Sequence, residues 1–397
     1  MGATMSTVSA LLKEVYEKDV QDQLNNDVVG FRRIEKTSEG VENGVGGRYV
    51  TFPLRIGRNQ GIGARNENEA LPTPGQQATT AARIGLKYLY GGINITGQAL
   101  ALADTNEQAF ASALDEEIMG LKRDLAKDLN FQFYGQGTGV RATEVSDGVN
   151  TITVDTVQYL EVNMVIDIYA SDLTTVQASA RTITAINTGT LTITYSGADV
   201  SATTAAGSVI VRTGNISREM TGISAIVKAT GTLYNVDPTV VPIWKSTVNA
   251  NGGTNRALTE ALMIKVVDDV RTQGGETTVG FCDLGTRRAY YNLLKTDRRF
   301  VNTEKFEGGF SGLAFTTDKG DIPIVVDVDS PAARINFLNE KAIKLYREAD
   351  WQWMDYDGNK FQRVIGYDAY EARMYMYCEM GTHRRNSHGV LSDITPG

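Results

Sequence analysis

Phe110, Leu114, Ile118, Leu121, Leu125 and Leu129 recur every three or four positions with polar residues between them, the period of one helix face. Thr105 with Gln108 three residues later forms a capping box and Gly135 follows the last periodic turn, so the spacing predicts a helix over 105–135. At 1.5 Å per residue such a helix is roughly 45 Å long, more than the width of an average domain. Val8, Leu11, Leu12, Val15 and Tyr16 predict a short amphipathic helix within 6–24. RYVTFPLRI at 48–56 and RIGLKYLYGGINITG at 83–97 have strand composition, but residues 57–82 between them have neither period nor bulk. Structureless loops longer than about 15 residues are uncommon in compact domains and usually serve binding. Arg58, Arg65, Glu67 and Glu69 supply this loop with charges suited to bridging another surface.

Beyond the long helix the texture changes. Lysine is absent between Lys127 and Lys228, and NTITVD, MVIDIYA, RTITAI, LTITYS and SVIVRT follow one another, separated by Gly, Ser, Thr and Asp. These short β-rich runs predict a small β-barrel or sandwich inserted at 146–213; strands completing the main sheet are the alternative. After a loop-rich stretch at 214–256, Leu258, Leu262, Val266 and Val270 predict a helix, TTVGFCD a strand, LGTRRAYYNLLKTD a second helix and IPIVVDV a buried strand. KAIKLYREADWQWMDY and NKFQRVIGYDAYEARMYMYCEM read as a long terminal hairpin, in which Tyr370, Ala372, Met374, Met376 and Cys378 form the apolar side. The class is α+β.

Composition narrows the function. The 397 residues are 42% hydrophobic and 22% charged, ordinary globular values that suit two or three compact units. No apolar window is long enough to span a membrane, and the N-terminus lacks the basic flank and apolar core of a signal peptide. The net charge of −8 argues against phosphate gripping, and Arg287, Arg288, Arg298 and Arg299 without lysine support read as solvated or subunit-facing. Cys282 and Cys378 form no C-x-x-C motif; Cys282 reads as a core residue. His383 and His388 are the only histidines, which removes the usual base or metal ligand of many enzymes. His383, in GTHRRN, reads as part of a polar tail, solvated or subunit-facing.

Several motifs fail on inspection. GGFSG at 308–312 is not a nucleophile elbow, because Leu313 stands where glycine is needed. GQGTG at 135–139 follows a helix rather than a strand and reads as a helix stop. DYDGN at 355–359 lacks the remaining calcium-loop ligands and reads as a tight turn. Asp327 and Asp329 share one face at a strand end; a solvated end and a carboxylate-based glycosidase are both compatible with that spacing. No catalytic, cofactor-binding or metal residues are expected.

The order of an N-terminal arm, a long two-strand loop, a spine helix, an α/β segment and terminal long strands resembles the major capsid proteins of tailed bacteriophages, the Hong Kong 97-type fold. DLGTRRAYYNLLKTDRRFV at 283–301 is similar to that family's strand, helix and Asp-x-Arg-Phe-like turn, and GLAFTTDKGDIPIVVDVD at 312–329 to the segment that follows it. The resemblance implies an N-terminal arm at 1–47, an extended loop at 48–97 and the spine helix of a peripheral domain at 98–145. It further implies an inserted β domain at 146–213, a mainly axial domain at 214–340, and peripheral-domain strands with the C-terminus at 341–397. The implied function is structural: hexamers and pentamers of one chain close into an icosahedral head around double-stranded DNA, assembled in the host bacterial cytoplasm. Scaffolding, portal and cement or decoration proteins are implied partners, contact with DNA is weak and non-specific, and no membrane is involved. Arg58, Arg65, Glu67 and Glu69 would then make inter-subunit contacts. Residues 37–86 contain no lysine, so covalent cross-linking through the loop is not expected. Only a short arm precedes the loop, so scaffolding is expected to be separate or already cleaved. An encapsulin-like nanocompartment, or another virion structural protein such as a tail-tube module, is the alternative.

Overall fold

The computed structural model of the chain describes residues 28–38, 41, 49–98, 107–296, 303–305, 311–318, 320–355 and 360–397. The helix expected within 6–24, the capping box at Thr105, Arg298 and Arg299, and most of the 355–359 turn lie outside them. Helix α1 (Gly30–Arg33) leads into strand β1 (Glu35–Thr37), then β2 (Tyr49–Gly57), β3 (Ala78–Gly85) and β4 (Lys87–Thr96). The long helix α2 (Glu107–Tyr134) ends where the Gly135 amide donates back to Phe131 and Gln132, and Gly137 and Gly139 at positive φ turn the chain away.

Six strands follow: β5 (Val140–Gly148), β6 (Thr151–Val154), β7 (Val165–Tyr169), β8 (Val176–Asn187), β9 (Thr192–Tyr195) and β10 (Val209–Arg212). They close into a barrel in the order β10-β5-β6-β9-β8-β7 around Ile152, Ile166, Ile168, Ile183, Ile193 and Ile210, all fully buried. Closure leaves no edge strand exposed. Strand β5 starts at Val140, within the 98–145 segment assigned to the spine helix and peripheral domain and ahead of the expected 146–213 insertion; its Arg-Ala-Thr-Glu-Val run carries charge on both faces, which hid its period.

The remaining elements are α3 (Ile223–Ile226), β11 (Thr247–Asn249), α4 (Glu260–Thr272), β12 (Val279–Cys282), α5 (Leu284–Thr296), β13 (Thr303–Lys305), β14 (Ser311–Thr317), β15 (Gly320–Val326), β16 (Ile335–Leu338), β17 (Ile343–Arg347), β18 (Gln352–Trp353), β19 (Gln362–Arg363), β20 (Ala369–Thr382) and β21 (Gly389–Leu391). Helix α4 begins where the Thr259 side chain accepts the Leu262 amide, and its Met263, Val266, Val267 and Val270 face is buried. Two sheets organise these elements. Seven strands run β11-β21-β16-β12-β15-β14-β13, with Cys282 buried among Ile324, Ile335 and Phe337. In the other sheet β20 is the hub: it pairs with β17, β18, β19 and, over ten residues, β4. Ala372, Met374, Met376 and Cys378 of β20 are buried while Arg373 between them is exposed.

Three expectations need correction. The run 83–97 is two strands broken at Leu86: β3 pairs with β2, whereas β4 leaves the loop and joins the β20 sheet. A change of sheet within one apolar run leaves no mark in its composition. The GTHRRN segment is not a polar tail, because the chain continues into β21 of the seven-stranded sheet. His388 and Arg385 are buried, the guanidinium donating to the carbonyls of Ile226 (3.0 Å), Gly231 (2.9 Å) and Thr230 (3.2 Å), which pins the irregular 223–246 segment. Asp327 and Asp329 are 1% and 4% exposed, so they are not a solvated strand end.

Candidate functional site

Of the four charged loop residues, Arg65 and Glu69 shape the loop's own tip. Arg65 Nε donates to the Ala70 carbonyl (2.8 Å) and Nη1 to that of Ala64 (2.8 Å). The Glu69 carboxylate accepts from the Asn66 amide (3.0 Å) and side chain (2.9 Å), and the backbone bond holds its carboxyl below the usual range. Below the tip the two legs nearly touch: a Cβ on Gly61 would lie 2.7 Å from the Gly75 amide nitrogen and 2.8 Å from the Thr73 carbonyl. Glycine is required there by the approach of one backbone to another. Arg58 and Glu67 are exposed. So are Ile62 (82%) and Leu71 (84%), two large apolar side chains that a reading for charge passed over.

The foot of this hairpin is anchored. Val50, Phe52, Leu54, Ala82 and Ile84 enter the main core, the Arg83 amide donates to Tyr234 (3.0 Å), and the Phe52 ring lies 4.4 Å from that of His383. His383 is thus an anchor at the foot, half-buried and hydrogen-bonded to the Tyr346 hydroxyl. A fixed base and a free-standing tip are the geometry of an arm.

The second site is a buried polar latch. Asp327 Oδ2 accepts from the Gly30 amide (2.8 Å), the Tyr134 hydroxyl (3.0 Å) and Asn130 Nδ2 (3.2 Å), and Oδ1 from the Asp329 amide (2.9 Å). Asp329 Oδ2 accepts from Lys127 Nζ (2.8 Å) and Asn130 Nδ2 (2.5 Å), while the Tyr159 hydroxyl donates to its carbonyl. Burial raises the Asp329 carboxyl, and Lys127 and Asn130 oppose the rise. The pair therefore ties α2, the α1 segment, the seven-stranded sheet and the barrel's Tyr159 to one point. Asp329 borders the cavity between α2 and the barrel and Asp327 does not, and both carboxylates are held by protein donors, so they are not the open pair across a cleft that a glycosidase uses.

A third cluster sits where the barrel meets α2. Arg141 Nη2 bridges Asp128 (2.6 Å) and Glu219 (2.9 Å), and its guanidinium lies 3.5 Å above the Phe131 ring. Burial raises both carboxyls; Arg141 and Arg212 overcome this at Asp128 and lower it, whereas Glu219 stays raised beside the Asp128 charge. Among the described residues, no group of three or more His, Cys, Asp or Glu side chains converges on a metal-sized space, and no helix is long and apolar enough to cross a membrane.

A family model for the SU10 major capsid protein matches residues 4–395. The chain belongs to this family: it is a major capsid protein of a tailed phage. The capsid protein's fold is that of solved phage shells. The capsid asymmetric unit of cyanophage A-1(L) superposes with a TM-score of 0.62 at 14% identity, covering 99% of this chain and 100% of that one. The capsid of a native GTA particle gives 0.52 at 11%, covering 100% and 99%, and Mycobacterium phage Bobi gives 0.50 at 10%, also covering 100% and 99%. No curated protein sequence matches the capsid protein. At such identities the fold persists while the sequence does not, so the likeness speaks for the backbone alone.

Proposed function

We propose that the chain has the Hong Kong 97-type fold and assembles as hexamers and pentamers of an icosahedral head around double-stranded DNA. In this reading β2, β3 and residues 58–77 are the extended loop, α2 is the spine, the seven-stranded sheet is the core of the axial domain, and the barrel is an insertion. The observation that carries it is the arm: a hairpin anchored at its foot, closed upon itself at its tip, and presenting Ile62 and Leu71 to solvent. Isolated apolar side chains are common on surfaces, but two on a stiffened projection suit a neighbouring copy. Arg58 and Glu67 are proposed to contact that copy, with Arg65 and Glu69 holding the tip in shape. The loop has no lysine with which to form a covalent link, so contacts between copies are non-covalent. The net charge of −8 suits enclosing DNA rather than gripping it.

Half-burial of the spine supports the same reading. Ile118, Leu121 and Leu125 are only partly covered within one chain, and Met119 is 45% exposed. The test is replacement of 58–77 by a short glycine-containing turn. The variant is expected to remain folded and soluble as free chains or capsomers while forming no shells by electron microscopy. Shells of normal size from this variant would sink the proposal.

A further inference from the structure

One end of the barrel holds a buried carboxylate with no cation beside it and only two hydroxyls near it. Glu144 is 2% exposed, and neither of its side-chain oxygens has a hydrogen-bond partner among the described residues. Its register explains the position: Glu144 lies opposite Val154 and, past a bulge, Asp147 lies opposite Ile152. Val154 and Ile152 are core residues, so both carboxylates sit on the inner face, which an unbulged strand would not allow for residues three apart. Ser208 is the cross-strand neighbour on the other side, its carbonyl accepting the Glu144 amide (2.8 Å).

The hydroxyls at this end are shared with other acceptors. Ser208 Oγ donates to the Ala205 carbonyl (2.6 Å). Thr204 Oγ1 has one proton for two acceptors, the Val200 carbonyl (3.2 Å) and Asp147 Oδ2 (3.4 Å). Acceptors thus outnumber protons. Burial and the neighbouring Asp147 charge raise the Glu144 carboxyl, the Thr204 and Ser208 hydroxyls oppose the rise, and no cationic side chain is among the groups acting on it. An ionised carboxylate in a barrel interior without a cationic partner is costly, and a hard cation surrounded by oxygen removes that cost.

We propose that Glu144, Asp147, Thr204 Oγ1 and Ser208 Oγ bind a calcium ion that closes this end of the barrel. Calcium fits better than magnesium because it accepts irregular oxygen shells, and Asp147 at the exposed mouth leaves room for water to complete them. Zinc, which favours nitrogen and sulfur ligands, finds neither here.

Equilibrium dialysis of the metal-stripped full-length chain against calcium near neutral pH tests this. About one ion per chain is expected, with a Kd on the order of 0.1–1 mM, together with a calcium-dependent rise in unfolding temperature. Glu144→Gln, which keeps size and removes charge, is expected to abolish both responses. Asp147→Asn, at the exposed mouth and therefore tolerant of change, is expected to weaken binding about tenfold, since affinity follows ligand charge. A wild-type chain that binds no more calcium than Glu144→Gln, or whose stability follows pH but not calcium, overturns the site; a proton alone then neutralises Glu144.

Discussion

Single residues in this protein carry obligations that their neighbours in sequence do not reveal. His388 Nδ1 accepts the Asn339 amide (3.2 Å), so Nε2 carries the proton and donates to Thr382 Oγ1 (2.9 Å). Burial pushes this imidazole down to about 3, so its contribution to stability is full above the ordinary 6.5 and is lost as pH falls toward 3. Glu379 runs the other way. Burial pushes its carboxyl up to about 8, against the opposing Thr221 and Met380 amides and Lys87, so its contribution is full below the ordinary 4.5 and declines as pH rises to about 8. Between 6.5 and 8 only the Glu379 slope remains of the two. Glu379→Gln is therefore expected to flatten the decline of unfolding temperature over that interval, measured on the purified chain across pH. At the latch, Asp327→Ala removes the acceptor of the Gly30 and Asp329 amides and the Tyr134 hydroxyl. A loss of about 3–5 kcal/mol by denaturant unfolding is expected, because several buried donors are left unpaired at once. A loss below about 1 kcal/mol would mean that water replaces the carboxylate.

At the scale of elements, α2 joins the parts. Its C-terminal turn meets α3 at Gly222, where an added Cβ would collide with the Gln132 and Gly135 carbonyl oxygens and lie 2.7 Å from the Gly135 nitrogen. All three are backbone atoms of a helix end and cannot step aside. Gly222→Ala is expected to destabilise by about 2–3 kcal/mol through forced separation of the two helices. Gly120, in the same helix, has nothing within 4 Å of its would-be Cβ. Gly120→Ala is expected to stabilise by about 0.5–1 kcal/mol, the gain from a better helix former in open space. Thermal unfolding of the two variants side by side checks both signs. The helix itself was legible from its 3.6-residue period and terminal glycine, and so were the barrel's later strands, because β6 and β9 bury alternate residues and β7 and β10 are short apolar runs. Strand β5 was not legible, because buried Arg141 and Glu144 break the apolar pattern it would otherwise show.

For the whole molecule, the largest core runs continuously through the α1 segment, the foot of the arm, the end of α2 and residues of both sheets, while the barrel keeps a core of its own. In the proposed assembly, what one chain leaves unfinished is the arm's tip and the exposed positions of the spine from Glu117 onward, Met119 among them. Ile62→Ser with Leu71→Ser is expected to leave the unfolding temperature unchanged, since both side chains are already solvated. The same pair is expected to shift size-exclusion and electron-microscopy profiles from megadalton particles toward free capsomers. Particles in normal yield would place the subunit contacts elsewhere on the chain.

The sequence by itself determined the local periods and their order: a helix too long for one domain, alternating strands, a structureless loop between two of them, and no cluster of catalytic residue types. These follow from spacing along the chain, and their order was enough to suggest a capsid protein. Tertiary structure alone decided which side chains meet. Asp327 and Asp329 looked solvated because their donors, Gly30, Lys127, Asn130, Tyr134 and Tyr159, lie far away in sequence. The C-terminal residues looked like a polar tail because Arg385 and His388 find their partners only after the 223–246 segment and β16 have folded against them. Burial of polar groups depends on partners remote in the chain, and hydrophobic periodicity carries no record of them.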